Sequence, residues 1–221
     1  AICRQRDLLL LVDAAQTAGT LPISMKTAAV DLLAMPGHKG LLGPPGTGAL
    51  VVSERAAGLP PWREGGTGGD SSHPVQPSEY PHRLEAGTPN VVGLAGLDAA
   101  VDHIAARPVG EALACERSLC RQLVERLADD ERFRLLGSPD SEQRVGVASF
   151  EIVDVDPLEA GVMLDEGFDI AVRCGLHCAP GTHRRFGTFP RGAVRISPGP
   201  ANTADDINAL LAALDEIAAM D

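Results

Sequence analysis

The apolar run Leu8–Val12, bounded by Asp7 and Asp13, reads as a strand buried on both faces, the signature of a parallel sheet. Ala14–Gly19 reads as a turn or short helix, Leu32–Met35 as a second strand, Pro36–Gly40 as a loop and Thr47–Ser53 as a third strand. This βαβ-like alternation predicts an α/β fold. Residues 58–92, rich in Gly, Pro and Ser, read as a long loop of the kind that serves function or moves. Helices follow over residues 93–106 and 109–129. Leu94, Leu97, Val101 and Ile104 share one face of the first, and Leu113, Leu119, Leu123 and Leu127 one face of the second. Beyond them the pattern becomes α+β. Strands are expected at Phe133–Leu136, Val145–Ile152, Ile170–Arg173 and Ala193–Ser197, with a helix at Pro157–Glu166 that has Pro in its first turn. Thr203–Ala219 reads as a closing helix, with Thr203 as N-cap and Asp205 and Asp206 in the first turn. A chain that opens on a buried strand lacks the residues to flank it, which predicts a truncated, split or partial chain. Such a sheet exposes an edge, so poor solubility or forced association is expected in isolation.

Composition narrows the function classes. Of 221 residues, 44% are hydrophobic and 22% charged, an ordinary soluble balance. Aromatic residues are only 3%, so the core must be aliphatic. A formal net charge of −11 without any basic run argues against a nucleic-acid partner. No apolar stretch approaches the ~20 residues of a membrane span, and no signal-peptide pattern is visible. Cys3, Cys115, Cys120, Cys174 and Cys178 are an odd set without paired spacing, expected as reduced thiols in a cytoplasm. Among 19 basic residues only Lys26 and Lys39 are lysines, so a lysine inside a Gly-rich loop calls for a reason.

Three segments carry candidate chemistry. VDAAQTAG (Val12–Gly19) ends a strand on Asp13, and GHKGLLGPPGTGAL (Gly37–Leu50) places Lys39 in a loop between strands. Pyridoxal phosphate needs such a pair: a lysine to hold the aldehyde and a buried carboxylate to keep the pyridine nitrogen protonated. A strand-end Asp13 lies at the carboxyl edge of the sheet, where α/β ligands bind. Spacing alone equally allows Asp13 as a helix cap and Lys39 as an exposed loop residue. The Gly43–Gly48 stretch lacks the Lys-Ser/Thr ending of a phosphate loop. The second segment, Arg173-Cys174-Gly175-Leu176-His177-Cys178-Ala179-Pro180, sets a cysteine beside a histidine with arginine nearby, a candidate nucleophile. A buried structural thiol, a CxxxC redox pair and a zinc site on Cys174, His177 and Cys178 compete with that reading; a closed zinc site lacks its second ligand pair. The third is Arg195, at a strand end, a candidate clamp for a substrate carboxylate.

Together VDAAQTAG, GHKGLLGPPGTGAL, EGGTG, RLEAGTPN, IAVRCGLHCAP and AVRISPGPANT resemble, in family order and over nearly the whole chain, the class V aminotransferase-like group of fold-type I pyridoxal-phosphate enzymes. Within it the chain is most similar to group II cysteine desulfurases. The resemblance implies an α/β chain: residues 1–92 as the C-terminal portion of the cofactor-binding large domain, with a mostly parallel sheet, and residues 93–221 as connecting helices and a smaller α+β domain. It implies pyridoxal 5'-phosphate as cofactor and Lys39 as the Schiff-base lysine that also moves the substrate α-proton. Asp13 would partner the pyridinium, Gln16 the ring oxygen and His38 the phosphate. Thr88 would reach the cofactor phosphate of a neighbouring subunit, hence a homodimer with shared sites. Cys178, with His177 beside it, would accept sulfur from L-cysteine and pass it to an acceptor protein or small thiol. Arg195 would hold the substrate carboxylate, with Arg173 on the same loop. Pro36 stands where the family often has Ser or Thr, which removes a hydroxyl and an N–H, and the family's upstream phosphate-binding helix and ring-stacking residue are absent. The alternatives are another class V aminotransferase, a selenocysteine or carbon–sulfur lyase, or a non-catalytic fragment that needs a complementing N-terminal part. No bound metal, nucleic acid or membrane is expected.

Overall fold

A computed structural model describes residues 1–66, 72–108 and 110–220. The chain divides into two compact units, Ala1–Gly110 and Glu111–Asp221.

In the first unit, α1 (Ile2–Gln5) leads into β1 (Leu11–Asp13), α2 (Met25–Ala28), β2 (Leu32–Pro36), β3 (Gly48–Val52) and α3 (Val91–Ala105). The sheet order is β1-β2-β3; β1 pairs with β2 in parallel and β3 pairs with β2 antiparallel. Asp31, fully buried just before β2, fastens all three strands. Its carboxylate accepts the Leu10 N–H at 2.9 Å and the Ser53 hydroxyl at 3.4 Å, and its carbonyl accepts the Ser53 N–H at 2.9 Å. Arg55 donates to it at 2.9 Å and also reaches Asp7 at 2.6 Å. The Leu10 N–H first, and then Arg55 and Arg4 against the opposing effect of burial, hold the Asp31 carboxyl below its ordinary range.

The expected burial of the first strand is corrected. Leu8 and Leu11 are 53% and 55% exposed, and Leu10 and Val12 half-buried. The strand is parallel, as expected, but it is the sheet edge. The core beside it is small, with Ala14, Val30 and Leu33 as its buried members among the described residues. The apolar stripe of α3 is likewise mostly open: Leu97 is buried, while Leu94 and Val101 are exposed. This helix packs instead through its small residues. A Cβ on Gly96 would meet Pro44 Cγ at 2.6 Å, and one on Gly93 would meet Thr47 Cγ2 at 2.8 Å.

The second unit holds α4 (Glu111–Ala128), β4 (Phe133–Leu136), β5 (Ala148–Ile152), α5 (Pro157–Phe168), β6 (Arg173–Gly175), α6 (Pro180–Phe186), β7 (Ala193–Ile196) and α7 (Ala204–Ile217). Its antiparallel sheet runs β4-β5-β7-β6. One face is apolar by strict alternation, with Ala148, Phe150 and Ile152 buried along β5. That face packs with Leu123, Leu127, Leu164, Leu210 and Leu214 from α4, α5 and α7 into one continuous core. Asp156 caps α5, and Thr203 with Asp206 forms a capping box on α7.

Candidate functional site

Within the first unit, Asp13 lies opposite Ala34 in the parallel β1–β2 pair, so the segments after both strands leave the same end of the sheet. Asp13 Oδ1 accepts the Ala15 N–H at 2.9 Å and starts a tight turn in which the Ala18 N–H reaches the Ala14 carbonyl at 2.9 Å. This turn presses on the lysine loop. Gly19 has φ 83°, and a Cβ built on it would lie 2.0 Å from the Gly40 carbonyl oxygen; one on Gly40 would lie 2.3 Å from that of Ala18. Only two glycines let these main chains meet. The loop is fixed by its own bonds: Gly37 N–H to Thr47 carbonyl at 2.8 Å, Gly43 N–H to Gly37 carbonyl at 2.7 Å, Leu42 N–H to Lys39 carbonyl at 2.8 Å. The Asp13 turn and the Lys39 loop are therefore brought together through the backbone.

The side chains are more open than the sequence reading requires. Asp13, Gln16, His38 and Lys39 are all exposed, and the carboxylate expected to be buried is not, because β1 ends the sheet and one carboxylate oxygen serves the local turn. The Lys39 amine makes no hydrogen bond or ion pair among the described residues. Thr88 is also exposed. Its loop is tied by the Gly87 N–H to the Gly66 carbonyl at 2.6 Å, joining the EAGTP and EGG segments; Thr67 and Gly68 of the EGGTG segment lie outside the described residues. An open recess beside Thr88 is lined by Thr47, Trp62, Arg63, Glu85 and Asn90. The close-set glycine backbones, an amine without a competing partner and a carboxylate with one oxygen to spare fit a group held by Lys39 and Asp13.

The second unit gathers the remaining candidates. Arg173 of β6 and Arg195 of β7 are direct cross-strand partners. Like charges placed opposite one another cost stability, a cost that an anion between them would offset. Arg195 Nε is buried without a partner among the described residues, and burial first, then Arg173, weaken that guanidinium's hold on its proton. Arg173 Nη2 donates to Cys178 Sγ at 3.4 Å. His177 Nε2 hydrogen-bonds the Arg173 carbonyl at 3.0 Å. A carbonyl only accepts, so Nε2 carries the proton. Desolvation lowers the His177 pKa, opposed by that hydrogen bond, and Arg195, His183 and Arg173 lower it further. His177 and Cys178 both have left-handed backbone, φ 50° and 59°. Cys178 is exposed.

Cys174 points to the other face of β6, where a Cβ on Gly161 of α5 would lie 2.6 Å from its sulfur, and burial raises its pKa. It is a packed thiol, which removes the CxxxC pair. Among the described residues no group of three His, Cys, Asp or Glu side chains could hold a metal ion, and no helix is long and apolar enough to cross a membrane. Sequence reasoning missed His183 and Thr188, buried beneath this loop, and it missed α6, where Pro180 stands in the first turn but no capping side chain precedes it and the weak helix formers Gly181 and Thr182 follow.

A family model described as aminotransferase class-V matches residues 1–210. The chain is 34% identical over 214 residues to cysteine desulfurase CsdA of Escherichia coli (strain K12), covering 94% of this chain and 51% of that one. It is 35% identical over 212 residues to a probable cysteine desulfurase of Streptomyces coelicolor, covering 95% and 50%. Among solved structures, CsdA from Escherichia coli superposes with a TM-score of 0.85 at 32% identity, over 97% of this chain and 53% of that one. The apo structure of cysteine desulfurase from Thermococcus onnurineus NA1 gives 0.88 at 32% identity, over 98% and 54%. The chain spans about half the length of the curated relatives it matches, and over that half it has the fold of these enzymes, as the resemblance implied.

Proposed function

The chain belongs to the class-V aminotransferase family, and on that premise we propose that it carries the cofactor-holding, sulfur-accepting and carboxylate-binding residues of a pyridoxal-phosphate-dependent cysteine desulfurase. The observation that carries this reading is the pair Arg173 and Arg195 set around Cys178, with one guanidinium N–H on the sulfur and another buried without a partner. Transamination needs no such cysteine.

Lys39 would hold pyridoxal phosphate covalently, with Asp13 at the ring nitrogen, Gln16 at the ring oxygen and His38 at the phosphate; Thr88 would serve the phosphate of a second subunit's cofactor. When bound, the cofactor supplies an electron sink for charge developing at the substrate Cα. Asp13 keeps the proton on the ring nitrogen. Arg195, aided by Arg173, orients L-cysteine by its carboxylate. Once the substrate amine has displaced it from the cofactor, Lys39 Nζ would take the α-proton and later return it to Cα. Cys178 Sγ attacks the substrate sulfur: an S–S bond forms, the C–S bond breaks, its electron pair returns to carbon, and protonation there releases alanine. Cys178 keeps the sulfur as a persulfide until an acceptor thiol, on a protein or small molecule, removes it. His177, with Nε2 held by the Arg173 carbonyl, orients the segment next to that sulfur. A free thiol that must stay reduced would suit a reducing cytoplasm, and the role given to Thr88 would require a homodimer.

The test has two readouts. Incubation with pyridoxal phosphate, borohydride reduction and peptide mapping should place the added mass on Lys39, and L-cysteine with dithiothreitol should yield alanine and sulfide. Lys39→Ala should lose both. Cys178→Ser should keep the modification and lose sulfide release by roughly a hundredfold or more. Retained desulfuration in Cys178→Ser would move the reading to a selenocysteine or other carbon–sulfur lyase. The exposure of Asp13 and Lys39 favours a second reading, in which a complementing chain must cover them first; borohydride labelling that appears only with such a chain present would select it.

A further inference from the structure

Two consecutive non-glycine residues in left-handed backbone persist only where surrounding contacts over-determine them, and at His177 and Cys178 those contacts lead to one buried side chain. His183, on α6, is 5% exposed and its ring centroid lies 5.4 Å from that of His177. Its Nδ1 shares a 2.7 Å hydrogen bond with the hydroxyl of Thr188, itself 3% exposed, and that hydroxyl also lies 3.4 Å from the His183 carbonyl. The backbone repeats the link: the His183 N–H donates to the Ala179 carbonyl at 3.1 Å, the Ala179 N–H to the Leu176 carbonyl at 2.8 Å, and the Thr188 N–H to the His183 carbonyl at 2.9 Å. A buried polar ring in this place needs a reason, since an aliphatic side chain would fill the volume without needing a partner.

We propose that His183, anchored by Thr188, is a positioning residue: it props the His177 ring and so holds the Cys178 sulfur under the Arg173 guanidinium. The chain of contacts is Thr188 Oγ1 to His183 Nδ1, His183 ring to His177 ring, His177 Nε2 to the Arg173 carbonyl, and Arg173 Nη2 to Cys178 Sγ. Arg173, Arg195 and His183 are the charged or titratable groups that face His177. A guanidinium N–H directed at sulfur fixes where that sulfur sits and how it meets an incoming electrophile. Loss of the prop lets residues 177 and 178 relax and the sulfur leave that N–H. This assignment rests on the reading of Cys178 as the sulfur acceptor, but its test does not depend on turnover.

The second unit contains its own controls. Cys115 is exposed, Cys120 is 1% exposed with its thiol pushed up to about 11 by burial, and Cys178 is the site. Iodoacetamide labelling of the full chain, read by peptide mapping, gives the Cys178-to-Cys115 rate ratio, with Cys120 reporting any opening of the fold. Thr188→Val keeps shape and removes the anchoring hydroxyl; His183→Leu keeps bulk and removes both ring and hydrogen bond. Both should lower the ratio roughly three- to tenfold with Cys120 still protected. His183→Asn, whose amide nitrogen can replace Nδ1 toward Thr188, should recover part of it. An unchanged ratio in Thr188→Val overturns the proposal, as does a drop accompanied by Cys120 labelling, which would mean general loosening. If His183→Leu does not fold, Thr188→Val decides alone. A chain that releases no sulfide yet shows these ratios would sink the desulfurase reading and leave the positioning role intact.

Discussion

Gly19 and Gly40 decide more about the first unit than any charged residue does, because their missing side chains set how closely the Asp13 turn meets the Lys39 loop. Gly19→Ala should cost roughly 2–4 kcal/mol, combining a disfavoured positive φ with overpacking against a carbonyl. A urea titration followed by far-UV circular dichroism measures it, and borohydride labelling of Lys39 should fall in the same variant. At this scale the candidate residues could be picked out as motifs. The Asp13, Lys39, Cys178 and Arg195 motifs are tied to residue types that only a few chemistries require. What could not be read was exposure: an apolar pattern around Asp13 reports that a covered face is wanted, not which face receives cover. His183 was illegible for a different reason. Its hydrogen-bond partner lies five residues on, beyond the Gly187 that ends α6, a spacing no helical period marks.

At the scale of elements, β6 shows how pairing overrides propensity. The apolar, β-branched run Ile170–Arg173 reads as the strand, yet β6 is Arg173–Gly175, because the register opposite β7 sets Arg173 against Arg195 and Gly175 against Ala193. A Cβ on Gly192 would lie 2.2 Å from the Gly175 carbonyl carbon, so a glycine is needed where the two strands meet. The helix α4 was legible from its leucine spacing, α5 from Pro157 in its first turn and α7 from Thr203 as its cap, and all three are stabilised by one core. An ion network not visible in the sequence ties α4, β4 and α7: Arg126 and Arg132 both reach Asp130 and Asp215. The Arg132 guanidinium first, and then Arg126, hold the Asp130 carboxyl well below the usual carboxylate range. The folded state therefore binds that proton less readily than the unfolded chain. Its stabilising contribution is complete above the ordinary value of about 4 and is lost as pH falls from there through the lower folded value. Between about pH 5 and about pH 2, the urea midpoint of Asp130→Asn should fall less steeply than that of the parent chain; parallel curves would show that the network contributes nothing.

Taken whole, the molecule is uneven. The second unit has a continuous, mostly aliphatic core around Leu123, Leu214 and the Phe133–Phe150 pair, whereas the first has a smaller cluster on Ala14, Val30 and Leu33. Limited proteolysis should therefore leave a resistant fragment beginning near Glu111, with cuts concentrated in the first unit; the reverse pattern would contradict this distribution of buried area. The low aromatic content predicted an aliphatic core, and that of the second unit is aliphatic apart from Phe133 and Phe150. No composition could say that the two units would be so unequally filled. The outer side of β1 follows from the same imbalance. Among the described residues no strand pairs with the outer edge of β1, and a row of main-chain donors and acceptors left in that state can recruit another extended backbone. Wherever that edge stays open, concentration becomes a hidden variable. Affinity, melting point and light scattering measured at one dilution would not carry over to another, because each added molecule is also a prospective neighbour for that strand.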